Sequence, residues 1–126
     1  MEKALTECKQ WLAWIAGAGE QTFARASYNC IFASEICADK VQALARRGDL
    51  SGVMSSLGLM MPSKFHVYWL EGSRVDELEL EDASKAVIEK YKYDGFRELI
   101  LFDDTRGWLI FLDHYDNCKL LRISRV

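Results

Sequence analysis

Residues 96–124 read FRELILFDDTRGWLIFLDHYDNCKLLRIS, and this stretch decides the fold class. Three short runs, 99–102, 108–112 and 118–123, are rich in Leu, Ile, Phe and Trp and suit a pleated, buried surface. Two polar loops divide them. Asp103-Asp104-Thr105-Arg106-Gly107 offers a glycine for a positive φ, and Asp113-His114-Tyr115-Asp116-Asn117 is built from turn formers. Loops this short can join only antiparallel neighbours. The stretch therefore predicts a three-strand meander.

Working back from it, Asp82 is placed to cap a helix whose Ala83, Val87, Ile88 and Tyr91 share a face, and Gly95 ends that helix. Residues 74–80 alternate Leu78 and Leu80 with Glu77 and Glu79, which reads as a short edge strand or an extended segment. Glu71-Gly72-Ser73 is a turn. Before it, Phe65, Val67 and Trp69 alternate with His66, Tyr68 and Leu70. Both sides of that run are apolar or aromatic, so the strand is expected inside the sheet. Upstream of residue 64 the grammar is helical. Leu5, Cys8, Leu12 and Ile15 line a helix over 2–16, and residues 20–47 read as one long helix ending at Arg46-Arg47-Gly48. Asp49 then caps a short helix carrying Leu50, Val53, Met54 and Leu57. The expectation is an α+β fold. Its helical N-terminal half, of three helices, packs on an antiparallel sheet with a C-terminal three-strand meander, all in a single domain over 1–126.

Charge narrows the function. The net charge of −3 is uneven: residues 1–70 carry +1, residues 71–116 carry −7 and the last ten carry +3. There is no basic stripe to neutralise phosphates, which argues against nucleic acid, and the acidic segment suits a basic protein partner. No run approaches the roughly 18–20 apolar residues that span a membrane. Glu2, Lys3, Glu7 and Lys9 break up the apolar residues that a secretory leader would need, so a reducing, cytoplasmic setting is expected. Cys8, Cys30, Cys37 and Cys118 permit three disulfide pairings. The reducing setting and the apolar surroundings of the first three favour packed thiols instead. The sequence does not fix the oligomeric state.

Candidate chemistry is sparse. His114 with Asp113, Asp116 and Cys118 has the donor types for a metal but no recognised spacing, and turn formation accounts for the acids. Cys30 or Cys37 beside His66 would make a nucleophile and base, yet both cysteines sit among Ile, Phe and Ala. Gly17-Ala18-Gly19 follows no strand and is a poor phosphate loop. Asp103-Asp104 and the Glu77, Glu79, Glu81, Asp82 cluster supply carboxylates without evident clefts. No cofactor is expected. An aromatic flanked by acids, Tyr115, suits an interface anchor.

The FDD turn, the GWLIFLD strand, the meander and the acidic bias at 96–124 resemble the small immunity proteins of bacterial contact-dependent growth inhibition and other polymorphic toxin systems. The resemblance implies a non-enzymatic inhibitor that binds one cognate toxin, such as a nuclease, and occludes its active site. Expected contact residues are Asp103, Asp104, Asp113, Tyr115 and Asp116. Successive turns of a meander point to opposite ends of a sheet, so the two groups would not face one partner equally. Two other readings stand beside it. One is a small enzyme or ligand-binding domain with a site between helices and sheet near His66 and Tyr68. The other is a homo-oligomeric regulatory module.

Overall fold

A computed structural model describes residues 34–69, 74–93, 98–105, 107–113, 115 and 117–122. In these, six strands and three helices alternate along the chain: β1 Glu35–Ile36, α1 Asp39–Arg46, α2 Leu50–Ser56, β2 Phe65–Trp69, β3 Arg74–Leu78, α3 Leu80–Tyr93, β4 Leu99–Phe102, β5 Trp108–Leu112 and β6 Cys118–Arg122. All six strands form one antiparallel sheet in the order β1-β6-β5-β4-β2-β3. The fold is α+β.

Two expectations need correction. The C-terminal strands β4, β5 and β6 do pair consecutively, but they are half of a six-stranded sheet. Hairpin β2–β3 docks beside β4, and β1 beside β6. The described helices are also spread through the chain, two before β2 and one between β3 and β4, instead of filling an N-terminal half. Within the expected helix over 20–47, residues 35–36 are a strand and only Asp39–Arg46 is helical. The pairing of β1 with β6, a contact distant in sequence, overrides the helical spacing of the apolar residues there. The expected helix over 2–16 lies outside the described residues.

Local signals set the helix ends. Asp49 caps α2 by accepting the Gly52 N–H at 2.9 Å. Gly48, just past α1, has φ of 71°, which glycine adopts without cost. Its bare Cα also admits α3, since a methyl group there would stand 2.4 Å from the Ile88 side chain.

One sheet face carries Phe65, Val67, Leu99, Leu101, Trp108, Ile110, Leu112 and Cys118. It packs with Val41, Ala45, Leu50, Val53, Met54, Ala83 and Val87 of the helices into one core. Every residue of β4 and β5 is buried, as are residues 65–68 of β2. Because alternate residues point to opposite faces, both faces of the central strands are withdrawn from solvent. The interior position expected for the 65–70 run is thus observed for residues 65–69, with β4 on one side and β3 on the other. That arrangement leaves chemistry to the ends and edges of the sheet.

Candidate functional site

The β4–β5 loop, the start of β2 and the end of β3 meet at one end of the sheet. Antiparallel register sets His66 opposite Glu77 on β3 and opposite Phe102 on β4. Asp104 follows two residues after Phe102. Local pairing thus brings together three residues spread over 38 positions of the chain.

His66 is buried, 6 % exposed, and its ring stacks on Phe102 with centroids 4.9 Å apart and planes 9° from parallel. Its Nε2 lies 2.6 Å from Asp104 Oδ1 and 3.8 Å from Glu77 Oε1. The two carboxylate side chains stand in solvent, 87 % and 58 % exposed. Nδ1 is buried and has no hydrogen-bond partner among the described residues. The tautomer follows from these contacts: a proton on Nε2 is donated to Asp104, and the buried Nδ1 then presents a bare lone pair in place of an unpaired N–H. His66 and Tyr68 belong to the face turned away from the core that the helices share, since Phe65 and Val67 occupy that core. The described helices pack on the opposite face, so the site expected between helices and sheet at His66 is not formed with them.

The donor atoms of His66, Glu77 and Asp104 lie within 4.8 Å of one another, a set of donor types that metals accept. Two observations weigh against a resident ion. The 2.6 Å contact is a hydrogen bond, whereas two donors on one zinc stand roughly 3.3 Å apart when each bond is about 2.0 Å. Metal ligation through Nε2 would also move the proton to Nδ1, where it would be buried and unpaired, although ligating imidazoles normally give that N–H to a partner. As built, the cluster is a histidine-braced pair of exposed acids.

The other expected contact residues divide sharply. Asp103 is buried, and its Oδ1 accepts from the Thr105 N–H at 3.0 Å and the Thr105 hydroxyl at 2.5 Å. Asp113 is buried at the opposite end of the sheet. Its Oδ1 accepts the N–H groups of Tyr115 and Asn117 at 2.9 and 2.8 Å, and Oδ2 lies 3.4 Å from Lys119 Nζ. The buried ammonium of Lys90 on α3 donates to the Asp113 carbonyl at 2.5 Å. Both aspartates shape their loops and offer no free carboxylate. Tyr115 is 74 % exposed beside Asp113, away from Asp104. Asp116 and His114 lie outside the described residues. Of the donors weighed for a metal around His114, Cys118 faces the core. The nucleophile pairing also fails for Cys37, which continues β1 against β6, four strand spacings from β2 and so about 19 Å away at the usual strand spacing. Cys30 lies outside the described residues. Glu77 was not expected at this site. Its signal was the β2–β3 register, which becomes readable only once 74–78 is taken as the strand antiparallel to 65–69.

No family model matches this chain, and neither a curated protein nor a solved structure matches it.

Proposed function

We propose that this chain is a non-enzymatic binding protein of the toxin-immunity type, which blocks a basic protein partner by setting acidic side chains into its cleft. One observation carries this reading. Asp104 and Glu77 stand exposed at one sheet end, and the buried His66 holds Asp104 in place. An acid on a strand, as Glu77 is, or one braced by a buried side chain, as Asp104 is, loses less conformational freedom on binding and pairs with Arg or Lys at lower entropic cost. In a nuclease toxin they would take the place of substrate phosphates. Compared with the sequence reading, this contact set keeps Asp104, adds Glu77 and leaves out the buried Asp103 and Asp113. Tyr115 would serve a partner that reaches the far end of the sheet.

The test begins with the neighbouring reading frame, whose product is co-expressed with this chain and its affinity measured by calorimetry. We expect a toxin domain that co-purifies, and a Glu77→Lys/Asp104→Lys double variant that binds it at least about tenfold more weakly, the scale of one lost charge pair. Unchanged affinity in a folded double variant overturns the electrostatic mechanism. A neighbour with no toxic activity, together with no co-purifying partner, overturns the immunity reading.

A further inference from the structure

Cys37 and Cys118 carry free thiols, the first half-buried and the second fully buried. They face each other. The β1–β6 register sets Glu35 opposite Leu120 and Ile36 opposite Lys119, which brings Cys37 opposite Cys118. The Cys37 N–H donates to the Cys118 carbonyl at 2.9 Å. Directly opposed residues of an antiparallel pair have Cα atoms about 4.5–5.5 Å apart, inside the span of about 4.4–6.8 Å that a disulfide bridges.

Gln42 fixes the pair from the first turn of α1. Its buried amide Nε2 donates to the carbonyls of Cys37 and Cys118 at 3.1 and 2.9 Å, and its Oε1 accepts the Cys118 N–H at 2.5 Å. One side chain thus grips the backbone of both cysteines. The two thiols thus belong to directly opposed residues.

We propose that Cys37 and Cys118 are an oxidative modification site, closing to a disulfide in the presence of a small disulfide oxidant and so pinning β1 to β6. The chemistry is thiol–disulfide exchange. The Cys37 thiolate attacks one sulfur of oxidised glutathione, the S–S bond breaks and one glutathione leaves as thiolate. Cys118 then attacks the Cys37 sulfur and displaces the second glutathione. Both cysteines are oxidised, one glutathione disulfide is reduced, and the two thiol protons end on the released glutathiones. Cys37 is the entry point because it is the more exposed. The hydrogen bond from Cys118 also holds its thiol below the ordinary range, against burial, which pushes it up. Cys118 is left for the second step, when Cys37 is in the mixed disulfide and no longer carries the thiolate charge that opposes Cys118 ionisation. The same hydrogen bond, burial, and the nearby charges of Cys37 and Asp113 all raise its thiol, so it does not react first.

The experiment uses the full chain, incubated with oxidised glutathione or with dithiothreitol, then alkylated, digested without reduction and mapped by mass spectrometry. The expected result is a cross-linked peptide joining Cys37 to Cys118, with both cysteines lost to alkylation together. The Cys118→Ser variant is expected to stop at Cys37 carrying glutathione. Hydrogen exchange on the unmutated protein supplies a second measurement: the amide of Cys37 should exchange at least about tenfold more slowly once oxidised, because a cross-link suppresses local opening. Linkage of Cys37 to Cys8 or Cys30 overturns the proposal. So does glutathione retained on Cys37 in the unmutated chain, or full alkylation of both cysteines after oxidant treatment.

Discussion

Asp103 and Asp104 are adjacent and chemically alike, yet one is buried in its own turn and the other stands in solvent. The difference lies in what each carboxylate can reach. Asp103 is the first residue after β4, so its side chain meets the N–H two residues on and folds inward. Asp113, the first residue after β5, repeats the arrangement with the N–H groups of Tyr115 and Asn117. In both loops the sequence shows turn formers, but it does not say which aspartate closes the turn and which faces out. The strand end decides that, and strand ends are the least legible boundaries in a sequence. The distinction has a measurable consequence. Asp113→Ala strips two N–H groups of their acceptor, so urea unfolding should report a loss of about 2 kcal/mol, the usual cost of an unsatisfied buried polar group. Asp104→Ala should cost under about 1 kcal/mol, because water can replace so exposed a partner at His66 Nε2. Equal losses at the two positions would contradict the assignment of one as a turn former and the other as a contact residue.

The helix junctions show the same logic at the level of elements. Gly48 and Gly58 both hold positive φ, 71° and 69°, after α1 and α2. A side chain at Gly58 meets nothing within 4 Å, whereas at Gly48 it runs into Ile88 and the Ser84 carbonyl of α3. Gly58→Ala should therefore cost only the backbone strain, about 1 kcal/mol. Gly48→Ala should cost at least about 2 kcal/mol, because overpacking against α3 adds to that strain. Thermal denaturation of the two variants checks the order, and a reversed order would refute close packing of α1 on α3. These junctions were legible in the sequence, since glycine after a cationic helix end and an aspartate before Leu50 are local signals. Strand β2 was legible too, from its two apolar sides. Strand β1 was not. Its extended backbone depends on β6 and on the Gln42 amide, partners that no local spacing announces. The hydrophobic run through Ile36 and Cys37 reads as helix for that reason.

At the scale of the whole molecule, the central strands are covered on both faces, so within the sheet a partner would meet the rim: loop ends and edge strands. The rim is unequal. One edge, β1, is two residues long and exposes Ile36, while the other, β3, carries Glu77 next to Asp104. A long bare edge invites strand addition from another chain; a two-residue strand and an acidic strand both discourage it. Two acids of the 71–116 excess, Glu77 and Asp104, stand at the end where β2, β3 and the β4–β5 loop converge. If partner capture is electrostatic there, the association rate carries the signature, since exposed charges steer encounter and are screened over about 8–10 Å at physiological ionic strength. Stopped-flow association with the co-purified partner should slow at least about tenfold from low to physiological salt, while dissociation changes little. The Glu77→Lys/Asp104→Lys variant should lose most of that salt dependence, and Asp49→Lys, which alters an acid at the cap of α2, should keep it. A rate that ignores salt in the unmutated protein, or a salt dependence that survives in the double variant, would place recognition elsewhere on the rim and leave Tyr115, at the opposite end of the sheet, as the surface to test next.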